Sequence, residues 1–92
     1  MVGQSAATLL PAMPRYLLHH RHRQRECGAT FASFTGHDSP LRRRPTVGSC
    51  SFGGHEIWWV VSAASEGEAL QLLPYYLAQR TTVIAIADME IP

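Results

Sequence analysis

GGHEIWWVVS, residues 53–62, joins a turn signal directly to the most strand-like segment of the chain. The pair Gly53-Gly54 has the backbone freedom that a two-residue hairpin turn requires. The residues that follow are mainly β-branched or aromatic, and these types favour strands. The stretch therefore predicts a hairpin, in which a strand over residues 46–52 runs antiparallel to a strand over residues 55–62.

Upstream of this hairpin, the chain predicts one strand and one helix. RYLLHHRH, residues 15–22, alternates in the manner of a strand with one buried face. ECGATFASF follows and places Cys27, Thr30 and Phe31 at helical spacing, which predicts a helix over residues 26–35. The loop before the hairpin contains the arginine-rich sequence LRRR.

Downstream of the hairpin, a second helix and a fourth strand are predicted. Ser65 and Glu68 have the spacing of a capping box and mark the start of the helix. Pro74 lies within its apolar stripe and is expected to kink or split the helix near Leu73, because proline lacks a backbone donor. TTVIAIADMEI, residues 81–91, predicts the fourth strand.

The predicted order is βαββαβ, an α+β fold of the ferredoxin-like kind. Right-handed crossovers would place the first and third strands in the middle of an antiparallel four-stranded sheet of order 4-1-3-2, with both helices on one face. In element order and length, residues 13–92 resemble the dimeric α/β-barrel superfamily. That superfamily includes small monooxygenases, lactone isomerases and haem-handling proteins, so the resemblance implies a homodimer. The strings HHRH, EC and GGHEIWW are also similar to small bacterial proteins to which no activity is attached, and no family residue is transferred.

Length and composition restrict the function classes. The chain has 92 residues, of which 46% are hydrophobic, and a net charge of +1, so we expect one globular domain over residues 13–92 after a flexible extension over residues 1–12. It has two cysteines and neither a membrane-length apolar run nor a signal-peptide pattern, which favours the cytoplasm. The low net charge and a third strand without the basic-Gly-aromatic opening of RNA binders argue against nucleic acid.

The pairing of the strands predicts which side chains share a face of the sheet. A two-residue turn pairs Phe52 with His55, and we take Leu18 to lie opposite Trp59. The more apolar face, under the helices, would then carry Tyr16, Leu18, His20, His22, Cys50, His55, Ile57, Trp59 and Val61. A slip of one residue in strand one would exchange His19 for His20 and His22.

A metal site is predicted where the end of strand one meets the start of helix one and the hairpin. The candidate ligands are His20, His22, His55, Cys50 and Cys27. Imidazole and thiolate are ligands of zinc, nickel and copper, which are the candidate cofactors. The alternative is that these are ordinary strand-end histidines beside two small buried thiols.

A small-molecule pocket is the alternative on the opposite face of the sheet. Its floor and polar rim would be formed by Leu17, Glu56, Trp58, Val60 and Asp88, with Ile84 and Ile86 from strand four. His19 could act there as a general base, and Arg21 could hold a carboxylate. In the competing interpretation, Arg21 and Glu56 form a cross-strand ion pair and Trp58 belongs to a dimer core.

Three functions therefore stay open. The first is a homodimeric binding protein with a transition metal at the His/Cys corner. The second is an isomerase or a cofactor-independent monooxygenase that acts on a small aromatic or carboxylated substrate. The third is a structural partner subunit without a site. The exposed apolar sheet face predicts a homodimer in each case, with about 1,500 Å² buried if the interface is of standard size.

Overall fold

The computed structural model describes residues 13–92 and shows an antiparallel four-stranded sheet. The strands are β1 (Arg15–Arg21), β2 (Val47–Gly48), β3 (Glu56–Ser62) and β4 (Thr81–Ile86). The helices are α1 (Cys27–Ala32), α2 (Glu66–Leu70) and α3 (Tyr75–Ala78), and 3-10 turns span Gln24–Glu26 and Cys50–Phe52. The extension expected over residues 1–12 lies outside the described residues. Within residues 13–92, no helix has the length and apolar character needed to cross a membrane.

The sheet has the order β2-β3-β1-β4, which is 4-1-3-2 when it is counted from the edge strand β4. β1 occupies the centre and pairs with both β3 and β4. Leu18 lies opposite Trp59 on β3, which is the predicted register, and opposite Val83 on β4. Because the register of β1 is the predicted one, its even-numbered residues share the face that the helices cover.

The hydrophobic core lies between that face and the helices. The strands contribute Tyr16 and Leu18 from β1 and Ile57, Trp59 and Val61 from β3, all of them buried. Ala69, Leu73 and Leu77 close the core from the helical side. Among residues 13–92 no helix lies on the opposite face, and Val60 and Ile84 are exposed there.

The second strand is much shorter than predicted, and its pairing differs. Ile57 pairs with Gly48 and not with Cys50, so the predicted pairing of Phe52 with His55 is wrong. Ser49 supplies the reason, because its carbonyl accepts from the N–H groups of Phe52 and Gly54, both at 2.9 Å. Its hydroxyl also accepts from the N–H of Glu56 at 3.1 Å. These local bonds replace the ladder that a longer strand would form.

The remaining elements agree with the sequence in place but not always in length. Ser65 caps α2 as predicted, with its hydroxyl accepting from the N–H of Glu68 at 3.1 Å. The predicted second helix is split into α2 and α3, and Pro74 is the N-cap of α3. The first helix is limited to α1 and one 3-10 turn. The fourth strand ends at Ile86, because Ile86 pairs with Arg15 and β1 offers no earlier partner.

Candidate metal centre

Four side chains converge at the end of β1. They are His22, Cys27, Cys50 and His55, and one ligand atom from each lies within 4.8 Å of the others. Nε2 of His22 is 3.2 Å from Sγ of Cys27 and 3.5 Å from Sγ of Cys50. Nδ1 of His55 is 3.2 Å from Sγ of Cys27. Nitrogen and sulfur ligands on a tetrahedral zinc ion stand about 3.5 Å apart, so the group could hold a metal ion with little movement.

The four residues come from three separate parts of the chain. His22 follows β1, and its backbone N–H donates to the carbonyl of His55 at 3.1 Å, which extends the pairing of β1 with β3. Cys27 is the first residue of α1, and Cys50 is the first residue of the second 3-10 turn. These three segments bring all four side chains to one corner of the sheet.

The glycine pair between Cys50 and His55 makes this convergence sterically feasible. Gly53 has φ +84°, a left-handed conformation that glycine adopts without steric cost. A Cβ atom on Gly54 would lie 2.3 Å from Oγ and 2.7 Å from Cβ of Ser49. His55 itself has φ +54°, which turns the chain back into β3. The sequence signal Gly53-Gly54 therefore marks a turn, but the connection between the paired strands is longer than the predicted two-residue hairpin, because the last paired residues are Ser49 and Glu56.

His20 lies next to the cluster without belonging to it. Its side chain is fully buried, and its Nε2 is 3.1 Å from Nδ1 of His22. The hydroxyl of Thr81 donates to the carbonyl of Leu77 at 2.6 Å, so it accepts from Nδ1 of His20 at 3.3 Å. His20 Nε2 is then an acceptor for the Nδ1–H of His22.

This chain of hydrogen bonds fixes the tautomer of His22. With its proton on Nδ1, His22 presents the lone pair of Nε2 to the two sulfur atoms. Metal-binding histidines generally have their second nitrogen held by such a donor–acceptor partner, which orients the ring. Through these hydrogen bonds, Thr81 and His20 orient the His22 ring so that its Nε2 faces the sulfur atoms.

Burial shifts the pKa values of three side chains in and beside the cluster. Burial, followed by the neighbouring His22 ring, lowers the pKa of His20. Burial, followed by the His55 ring, lowers the pKa of His22. Burial also raises the pKa of the Cys50 thiol, and the adjacent Cys27 adds to this effect. The lowered pKa values favour the neutral forms of His20 and His22, and a metal-binding imidazole must be neutral, whereas a metal that binds Cys50 has to displace its proton.

Of the five predicted ligands, the structure places four in one group and assigns the fifth, His20, to the hydrogen-bond chain behind it. Thr81 is not among the residues predicted from the sequence. Its role depends on the pairing of Thr81 with His20 across β1 and β4. Alternation within each strand does not specify that pairing, so no sequence signal identified it.

The residues predicted for a pocket lie on the open face of the sheet. Nε2 of His19 is hydrogen-bonded to Glu56, and the His19 ring stacks on Trp58 with centroids 5.2 Å apart and planes 11° apart. Nε of Arg21 is 3.5 Å from the same Glu56 carboxylate. Asp88 bonds instead to Arg15, at 2.6 Å. Leu17 and Val60 lie on the same face, so the polar groups form cross-strand pairs beside an apolar surface.

In comparisons with known proteins, no family model, no curated protein and no solved structure matches the chain. The chemistry of the site is therefore inferred from its own geometry. Two imidazoles and two thiolates could occupy the four positions around a tetrahedral ion, and closed sites of this kind in proteins are generally structural.

Proposed function

We propose that the protein is a small homodimeric binding protein that holds a transition metal, with zinc the best fit, at His22, Cys27, Cys50 and His55. The observation that carries this proposal is the convergence of four ligand atoms within 4.8 Å. A tetrahedral set of two nitrogen and two sulfur donors favours zinc, while nickel and copper also accept these ligands. The cytoplasm, where thiols stay reduced, suits the two free cysteines.

The bound ion would tie together three segments that share few other contacts. α1 has six residues and the second 3-10 turn has three, so neither is long enough to be stable by itself. An ion held by Cys27 and Cys50 would anchor both to the end of β1. Because the ligand set is assembled only in the folded chain, metal binding is expected to stabilise the native state by mass action.

Metal analysis of protein purified without a histidine tag tests the proposal. We expect about one zinc per chain by inductively coupled plasma mass spectrometry, and a higher melting temperature when zinc is added to the metal-free protein.

Cobalt substitution should give a thiolate charge-transfer band. Cys50→Ser should remove the contribution of that thiolate, while Ser51→Ala, at the exposed neighbouring residue, should leave the band unchanged. Absence of metal together with an unchanged melting temperature would overturn the proposal.

A second copy of the chain is the proposed partner of the open sheet face. The charged groups on this face pair among themselves, Arg15 with Asp88 and Arg21 with Glu56. The remaining surface is apolar and includes Val60, 58% exposed, and Ile84, 44% exposed. An apolar surface whose few charges are paired with each other is suited to pack against the same face of a second copy. The element order and the sheet order support a ferredoxin-like architecture of the dimeric α/β-barrel kind.

The enzyme alternative assigns His19 and Arg21 to catalysis on the same face. Both side chains are engaged with one carboxylate, that of Glu56, which favours a cross-strand ion pair. The isomerase or monooxygenase alternative stays a prediction. The alternative of a structural subunit without a site also stays a prediction. The metal analysis above separates both from the proposed function.

A further inference from the structure

A groove separate from the metal centre lies between α1, β3 and the loop over residues 37–46. Its volume is about 420 Å³. Phe34, Leu41, Ile57 and Trp59 form an apolar floor, and Phe31 forms one wall, with 59% of its surface exposed. The groove lies beside the part of β3 beyond Trp58, where β2, which begins at Val47 opposite Trp58, supplies no paired strand.

The loop that forms the other wall is fixed to the core. The hydroxyl of Ser39 donates to the carbonyl of Leu72 at 2.6 Å and accepts from the N–H of Leu41 at 3.1 Å. Leu41 is buried in the hydrophobic core. This wall of the groove is therefore held in place by contacts within the protein, which suits a largely preformed binding site.

The rim of this groove carries three consecutive arginines, Arg42, Arg43 and Arg44. None of them forms an ion pair with a carboxylate anywhere in residues 13–92, whereas Arg15, Arg21 and Arg80 each do. Guanidinium groups bind carboxylates through paired N–H donors. Three unpaired guanidinium groups above an apolar floor are complementary to an anion with an apolar body.

A second, independent observation comes from Thr30, which also lines the groove. Its side chain is fully buried, yet its hydroxyl is the one buried side-chain polar atom in residues 13–92 that has no hydrogen-bond partner. Leaving a buried hydroxyl unpaired is energetically unfavourable, and such groups in native proteins commonly await a water or a ligand atom. An oxygen at the inner end of a bound molecule would satisfy it.

We propose that this groove is a binding site for a small aromatic carboxylate. Its carboxylate would be held by the arginine rim, its ring would lie against Phe31 and Phe34, and an oxygen substituent at the far end of the ring would accept from the hydroxyl of Thr30. The site contains none of the four metal ligands, so a molecule bound here would use contacts other than those proposed for the metal.

Fluorescence titration and calorimetry with three matched probes test the site on the protein as purified. The probes are 2-naphthoate, 6-hydroxy-2-naphthoate, which adds the far oxygen, and 2-naphthol, which lacks the carboxylate. We expect 2-naphthoate to bind at least about tenfold more tightly than 2-naphthol, because only the former meets the arginines. The hydroxyl of 6-hydroxy-2-naphthoate should tighten binding a further severalfold in the wild type.

Single substitutions assign the contacts. Arg43→Gln should weaken 2-naphthoate binding about tenfold, and Arg25→Gln, the same charge change at an exposed residue outside the groove, should leave it unchanged. Thr30→Val should remove the tighter binding of 6-hydroxy-2-naphthoate relative to 2-naphthoate. Phe31→Ser changes an exposed side chain and should weaken the binding of all three probes. Equal binding of 2-naphthol and 2-naphthoate, or no effect of Arg43→Gln, would overturn the proposal. So would the absence of any binding by protein whose circular dichroism shows it to be folded.

Discussion

His22 has a different partner at each of its two ring nitrogens. Nδ1 faces His20 at 3.1 Å, and Nε2 faces the sulfur atoms of Cys27 and Cys50 at 3.2 and 3.5 Å. One nitrogen is therefore held by the protein interior, and the other is free to act as a ligand. This division makes His22 the residue on which metal binding is expected to depend most strongly.

His22→Ala should abolish the rise in melting temperature that zinc causes in the wild type, because the ion loses one of four ligands and the group that links it to His20. His19→Ala is the matched control, since His19 is the neighbouring histidine on the opposite face. Calorimetric melting with and without zinc measures both. If His19→Ala removes the zinc effect and His22→Ala keeps it, the ligands lie on the open face.

The stability of the metal-free protein should fall in acid. Burial holds the pKa of His20 and His22 below the ordinary value of 6.5, with the neighbouring imidazole as the second cause in each case. Arg80 lowers the pKa of His20 further, and Glu26 acts in the opposite direction. The unfolded chain therefore takes up protons first as the pH falls.

It follows that the stability contributed by these neutral histidines is present above pH 6.5 and is lost as the pH falls through their lowered pKa values. Urea unfolding in the presence of a chelator, at about pH 7.5 and about pH 5.5, measures the loss. The double variant His20→Gln with His22→Gln should show a smaller difference between the two conditions. An equal difference in the variant and the wild type would assign the acid sensitivity to other groups.

At the scale of elements, the turn between β2 and β3 decides whether the cluster forms. Cys50 and His55 flank this turn, and Ser49 closes it by accepting from Phe52, Gly54 and Glu56. The sequence predicted a turn at Gly53-Gly54 but gave Cys50 a place on a strand. The hydrogen bonds that the carbonyl and hydroxyl of Ser49 accept outweigh a weak strand preference, and alternation of residue types does not reveal such bonds.

Gly54→Ala should lower the free energy of unfolding by about 1–3 kcal/mol, because its methyl group would collide with both Oγ and Cβ of Ser49. The affinity for zinc should fall with it, since the turn that carries Cys50 has to move. Gly28→Ala is the control, because no atom lies within 4 Å of the added Cβ. That substitution in α1 should stabilise the protein by about 0.5–1 kcal/mol. Urea unfolding and zinc titration measure both variants, and equal behaviour of the two would contradict the steric role of Gly54.

At the scale of the whole molecule, the part that the structure describes, residues 13–92, covers one face of the sheet with helices and leaves the other face open. The helices cover the face that carries Tyr16, Leu18 and His20, and the open face carries Leu17, His19 and Val60. Large exposed apolar surfaces are uncommon on soluble monomers, so this asymmetry is the physical basis of the proposed homodimer.

Val60→Glu should convert the proposed dimer into a monomer, because two buried carboxylates would face each other across the interface. Tyr75→Glu is the matched control, since Tyr75 is 78% exposed on α3, on the helical side of the molecule. Light scattering at micromolar concentration measures the mass of each variant. A wild-type mass equal to that of one chain would contradict the dimer.

The sequence by itself determined the α+β class, the positions of β1 and β3, the cap at Ser65 and the break at Pro74. These features depend on local patterns: alternation of apolar residues, turn glycines, capping side chains and the missing donor of proline. The sequence also indicated which residues could be metal ligands, because the end of β1, the start of α1 and the turn meet at one edge in this topology.

Only the tertiary structure decided how these residues are used. The pairing of β1 with β4 places Thr81 beside His20, and this contact makes His20 a hydrogen-bond partner of His22 rather than a fifth ligand. The bonds of Ser49 end β2 at Gly48, so Cys50 lies in the cluster and not on a strand. Both outcomes depend on contacts between residues far apart in the chain or on the balance of competing hydrogen bonds, which local periodicity does not encode.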